Sequence, residues 1–341
     1  MRVTFFFILF SGFVLSEAIS QDLFWKAKLF SFFDNAEFGS SGYKVPQTMS
    51  GIQIAPEAGL QWDSVHLIGA GVNLLHEFGS SYAIDNWYLT SYYEFNKKPF
   101  RFLMGAFPRD NVLEKYPRIF FQDSVSYYRP NINGIFWEIG SGNNYLNLWL
   151  DWTSRKSVTV RETFFIGFSG RYTSGLFYLQ HFGSMFHFAK DLDPIVEKGI
   201  YDNALFVTSA GIDLSGKTFL DGLDLSAGWA AGVERSRAEG TGWIMNDGLL
   251  IETKLRYKYA GIFNSLYLGA GQMAFYDDHA NDLYMGDPIY RAGNYNRTDF
   301  FINFIRNSKV NVKLTYSLHF AESRVYHEQM LKVYVNLNNL N

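Results

Sequence analysis

The chain has 341 residues, a formal net charge of −3, no cysteine, 18% aromatic residues and a mean hydropathy of −0.09. This balance excludes a basic nucleic-acid-binding surface, a disulfide framework and a cysteine-anchored lipoprotein. Past residue 20 no apolar run is long enough to cross a membrane as a helix, so the many apolar residues are interleaved with polar ones.

Taken in chain order, Met1-Arg2 precede an apolar run from Val3 to Leu15, and Ala18 and Ser20 stand as small residues before Gln21. This reads as a signal peptide over 1–20, cleaved near Ser20/Gln21, with a single mature unit over 21–341. Segments with period-two alternation follow near 24–33, 51–60, 64–75, 86–95, 99–107, 132–139, 145–152, 160–169, 175–183, 202–213, 220–232, 248–258, 262–273, 297–305, 309–320 and 329–338. In the clearest, Val310, Val312, Leu314, Tyr316, Leu318 and Phe320 share one face, and Lys309, Asn311, Lys313, Thr315, Ser317 and His319 share the other.

Alternation is common to sandwiches and barrels, whereas connector lengths separate them. Long connectors are expected near 34–50, 76–85, 108–131, 184–201, 233–247, 274–296 and 321–328, and short ones between them. Such sorting is expected of a barrel with one external and one periplasmic rim. The fold class is therefore all-β: a closed antiparallel transmembrane barrel of about 16 strands, within a range of 14–18. Aromatic pairs near strand ends, Phe24 and Trp25, Trp87 and Tyr88, Tyr127 and Tyr128, and Trp149 and Trp152, suit interfacial girdles.

Two segments, Gly105-Ala106-Phe107-Pro108-Arg109 and Asp123-Ser124-Val125-Ser126-Tyr127-Tyr128-Arg129-Pro130-Asn131, resemble those of porin-like outer-membrane barrels of Bacteroidota. The resemblance extends over nearly the whole mature chain as a pattern. It implies an outer-membrane channel for passive diffusion of small hydrophilic solutes, selected by pore size and wall charge, with no covalent chemistry and no cofactor. It also implies that the long third external loop folds inward as a constriction, carrying Arg109, Asp110, Glu114, Lys115, Arg118, Asp123 and Arg129. Partners expected on this reading are outer-membrane lipid and small polar solutes, with a homo-oligomer or a surface lipoprotein as further candidates and no nucleic acid.

The polar faces place Lys26, Lys28, Lys309, Lys313 and Lys332 on strands that closure makes neighbours, and Lys254 and Arg256 on another strand. These are candidates for a basic lumen wall that favours anions. The plainer alternative is that they pair with inward acids such as Glu94, Glu138, Asp151 and Asp224. A second functional class is a filled barrel whose external loops bind a partner protein or glycan, with Phe30, Phe32, Trp149 and Phe165 occupying the lumen. A third is a rim-located lipid hydrolase built on His181, Ser184 and His187. Alternation sends Ser184 to the face opposite the two histidines, so that constellation is weak. The same histidines make a poor metal site, and the acidic run Asp277-Asp278-His279-Ala280-Asn281-Asp282 lacks the glycine and terminal glutamate of an EF-hand loop.

Overall fold

A computed structural model describes residues 21–339 except 114, 158–159, 190–199, 238 and 241. The segment read as a signal peptide and Glu114 lie outside the described residues. The strands are β1 (Gln21–Glu37), β2 (Gln47–Trp62), β3 (His66–Glu77), β4 (Asn86–Lys97), β5 (Phe100–Pro108), β6 (Asn131–Ser141), β7 (Asn144–Ser154), β8 (Thr163–Ser174), β9 (Phe177–Phe188), β10 (Tyr201–Asp213), β11 (Gly222–Ser236), β12 (Ile244–Tyr257), β13 (Ala260–Gly269), β14 (Asn294–Arg306), β15 (Val310–Ala321) and β16 (Arg324–Asn338). Each pairs antiparallel with its sequence neighbours, and β1 pairs with β16 from Lys26↔Asn338 to Glu37↔His327. The sheet closes without a free edge, the condition for a sheet to cross hydrocarbon with its backbone groups satisfied.

Alternation decides which face meets what. On β15, Leu314, Tyr316 and Phe320 are about two-fifths exposed, whereas Thr315, Ser317 and His319 are buried inside. This inverts the arrangement of a water-soluble protein. Each large apolar side chain left in water would forgo about 1.5–3 kcal/mol, so a surface carrying Leu89, Leu148, Leu179, Leu249 and Ile302 exposed requires a lipid surround. A barrel of sixteen strands is also wide enough for an aqueous lumen.

The connectors sort as expected with two exceptions. Six of the seven at one rim have two or three residues, among them 63–65, 142–143, 175–176 and 258–259, while 214–221 is longer; the other rim carries the longer ones, including 109–130 and 270–293. By the usual asymmetry of such barrels the short rim is periplasmic. The expected long connector at 321–328 is instead a two-residue turn of Glu322 and Ser323, both with positive φ, 55° and 59°. That conformation matches the twist of a tight hairpin. The alternation there is masked because Glu328 points inward and His327 and Gln329 outward, so both faces read as polar.

The girdle expectation needs the same correction. Trp25, Trp87 and Trp152 are exposed near the rims, but Phe24 and Trp149 point inward and Tyr127 is buried in the third external loop. Adjacent residues on a strand face opposite ways, so a pair of neighbouring aromatics supplies one girdle member at most.

Candidate functional site

The third external loop, 109–130, folds into the barrel and is fixed there at several points. At its start, the buried Arg109 donates Nε to the Arg129 carbonyl at 2.9 Å and Nη2 to the Asn131 carbonyl at 2.9 Å, and also pairs with Asp151 on β7. Asp110 pairs with Lys28 of β1. Lys115 lies over the Tyr145 ring, 4.3 Å from its centroid. Tyr116 accepts the Trp149 indole N–H at 2.7 Å. Trp149 can lie flat along the wall because its neighbour is Gly167, where a Cβ would fall 2.2 Å from the indole ring.

Farther along, Asp123 accepts Lys332 Nζ of β16 at 2.8 Å and Arg118 Nε at 2.8 Å, with Arg297 Nη1 of β14 at 3.5 Å. Arg297 in turn holds Asp299 at 2.6 Å and Glu328 at 2.9 Å, and Lys44 of the first external connector holds Asp287 at 3.0 Å. Burial alone would raise the Asp123 carboxyl, but Arg118, Lys332 and Arg297 outweigh it and hold it well below the usual carboxylate range.

The seventh external connector, 270–293, packs on the third. Gln122 N donates to the Met285 carbonyl at 2.8 Å and Asp287 N to the Arg118 carbonyl at 3.0 Å. Gly286 sits where the two backbones touch: a Cβ there would lie 2.1 Å from the Ile119 carbonyl oxygen. Tyr116, Ile119 and Phe120 of one loop join Leu283, Met285 and Ile289 of the other in a buried apolar cluster that continues into Phe182 and Phe186 on the wall. The external half of the lumen is therefore filled with packed side chains.

Below this roof lies a chamber of about 1670 Å³. Its lining runs from periplasmic-turn residues such as Ser64, Asn143, Ser215 and Asn307 up to Arg118 and Ser126 under the third loop, and includes no residue of the seventh connector. Of the expected loop residues, Arg109, Asp110, Lys115, Arg118, Asp123 and Arg129 reach the chamber lining. Of the expected wall residues, Lys26, Lys28, Lys254, Arg256, Lys313 and Lys332 line it. Lys309 does not: it is exposed in the periplasmic turn 307–309, because β15 begins at Val310.

The outer surface carries a second polar region at the external rim, spread over five neighbouring strands. Outward-facing Asn35 of β1 accepts the Thr48 hydroxyl at 2.8 Å and donates to Glu37 at 2.9 Å and Gln329 at 2.7 Å. Glu37 stands opposite His327, whose Nδ1 meets the Tyr316 hydroxyl at 2.7 Å. Next along the rim, His76 Nδ1 lies 3.1 Å from the Tyr82 carbonyl and 3.5 Å from Asp85 Oδ2. Both neighbours accept only, so in the neutral ring Nδ1 carries the proton and Nε2 presents a lone pair. The Ser80 hydroxyl and the Glu77 amide, donating to Asp85, hold its carboxyl below the usual range. On β2, Ser50 pairs with Phe33 and Ile52 pairs with His76, so Ser50 is one diagonal step from His76 on the same outer face. No hydrogen bond between Ser50 and His76 is present. No sequence signal marked this group, because its members sit at the ends of different strands.

The sequence-predicted trio is not assembled. His181 and His187 face outward, stacked on Phe168 and Phe164, while Ser184 is buried on the inner face. His181 Nδ1 is engaged by Thr208 at 2.8 Å. In the acidic run of the seventh connector, Asp277 pairs with Arg291 at 2.5 Å.

Solved structures that share the fold are porins. A loop-deletion mutant of OmpT, an outer membrane protein of Vibrio cholerae, matches with a TM-score of 0.54 at 10% identity over 93% of this chain and 99% of that one. The Salmonella typhi OmpF complex with daunomycin matches with 0.54 at 9% identity over 93% and 97%. A triple mutant of the Rhodopseudomonas blastica porin matches with 0.50 at 13% identity over 93% and 100%. The chain thus shares the porin-like barrel fold. No curated protein matches it. A family model described as lipid A 3′-O-deacylase-type matches residues 15–339. That match corrects the expectation of a chain without covalent chemistry, since it points to a hydrolase.

Proposed function

Because the chain belongs to the lipid A 3′-O-deacylase-type family, we propose that it is an outer-membrane hydrolase that cleaves an acyl ester of a lipid in the outer leaflet. The observation that carries this reading is the His76–Asp85 pair on the lipid-facing surface, beside an external rim that an outer-leaflet lipid can reach. In the reaction, His76 Nε2 takes the Ser50 hydroxyl proton as the Ser50 oxygen attacks the acyl carbonyl. The lipid alkoxide leaves with that proton, and water, deprotonated by the same nitrogen, releases the fatty acid and restores Ser50. Asp85 and the Tyr82 carbonyl keep the imidazole in the required tautomer and orientation. The test is fatty-acid release from lipid A in mixed micelles by the purified chain. His76→Ala and Ser50→Ala should each lower the rate about 100-fold or more, the lower end of what a positioned acid–base group contributes. Unchanged release by His76→Ala would refute the assignment.

A second reading, passive diffusion of small hydrophilic solutes selected by pore size and wall charge, draws on the porin-like fold and the 1670 Å³ polar chamber. It requires the third and seventh loops to part. We further infer export through a leader cleaved near Ser20, which the mass of the mature N-terminus would reveal.

A further inference from the structure

The chamber gathers positive charge that the chain as a whole does not have. Thirteen Lys and Arg side chains line it against seven Asp and Glu, in a protein whose formal net charge is −3. Some of this charge is spent on holding the third loop: Lys28 meets Asp110, Arg109 meets Asp151, and Lys332 and Arg118 meet Asp123. Of the remainder, four cations share one stretch of wall, β12 to β15. There Lys254, Arg256, Arg306 and Lys313 line the chamber, and none of the four forms an ion pair with a described residue.

Two details of that wall leave its cations without a carboxylate partner. Lys313 and Lys332 stand directly opposite each other in register, a like-charge pair that destabilises a sheet. Asp123 pairs with Lys332, whereas Lys313 has no carboxylate within ion-pair distance among the described residues, and its nitrogen lies 4.4 Å from the Phe301 ring centroid. Lys254 likewise lies over the Phe263 ring at 5.5 Å. Cations facing a wet cleft with low-dielectric walls focus the field and raise the local concentration of anions. The acids facing these four cations are few: Glu252 lies on the same wall, Asp224 stands opposite Lys254 in register but also faces Arg171, and Asp299 is held by Arg118 and Arg297.

We propose that the chamber is a binding site for a soluble polyanion carrying several phosphate or carboxylate groups, entering from the periplasmic side. Entry is periplasmic because the mouth is formed by the short turns and the other end is roofed by packed loops. The ligand is multivalent because four free cations share this wall, from Arg306 and Arg256 near the mouth to Lys254 and Lys313 farther in. The inference is independent of the rim chemistry: it uses the opposite surface of the sheet.

The experiment is isothermal titration of the detergent-solubilised full chain with inorganic tripolyphosphate at low salt, with raffinose as a neutral probe of comparable bulk. Saturable binding of tripolyphosphate, weakened at least tenfold in Lys254→Gln/Lys313→Gln and weakened by added sodium chloride, is expected. A second measurement needs no variant: tripolyphosphate should slow modification of Lys313 by an amine-directed reagent in the wild-type protein. Equal binding of raffinose, unchanged affinity in the double variant, or absence of both binding and protection would overturn the proposal.

Discussion

Asp123 and Lys332 meet at 2.8 Å although 209 residues separate them, and this contact ties the third external loop to the last strand of the barrel. Arg118 and Arg297 converge on the same carboxylate. Removing its charge leaves the buried Arg297 and the half-buried Arg118 and Lys332 under-compensated, and breaking a buried pair by deleting one partner costs about 3–5 kcal/mol. Asp123→Asn is therefore expected to loosen the roof. In planar bilayers the wild-type chain should conduct little at neutral pH, and the variant should show stepwise openings.

The same carboxylate sets an acid limit. Its folded-state value is depressed below the ordinary 3.8, so its contribution is present above that value and is lost as pH falls through the depressed one. Wild-type conductance is expected to stay low from pH 7 down to about pH 4 and to rise only in stronger acid, for which the ordinary aspartate value sets the upper bound. Opening already at pH 6 would assign the gate to another group.

Gly286 is the point where the third and seventh loops touch. A methyl group there meets the Ile119 carbonyl at 2.1 Å, a clash with backbone that has no flexible end to yield. Gly286→Ala should destabilise the loop pair by about 1–3 kcal/mol, the range for overpacking. Limited proteolysis in detergent would report this as faster cleavage within 109–130, with the barrel itself retained.

The inward trio member and the outward histidines separate two hydrolase assignments. Ser184 is buried on the inner face and His181 is sandwiched by Phe168 and Thr208. Ser184→Ala and His181→Ala should leave fatty-acid release within about twofold of wild type, as expected of side chains outside the reacting group. A loss in either variant comparable to that of His76→Ala would move the site to β9.

Much of the architecture was legible because its cause is periodic. Lipid outside and water inside impose a two-residue alternation, and segments such as Val310 to Phe320 display it without interruption. The third loop was legible as a charged insertion, although most of its charge serves docking. What is not legible has no period. Leu283, Met285 and Ile289 of the seventh connector are buried by contact with another loop, which nothing in their own spacing announces. His76, Asp85 and Ser50 lie on or beside separate strands and become neighbours only through register. Lys309 falls in a turn rather than on the wall, because alternation alone does not say where a strand begins.

The most direct test of the hydrolase reading is the mass spectrum of lipid A extracted from cells that express the full chain, compared with cells that express His76→Ala. The account predicts a population of lipid A lighter by one ester-linked acyl chain with the wild-type chain, and none with the variant. Identical spectra, at equal amounts of barrel inserted in the outer membrane, would contradict it.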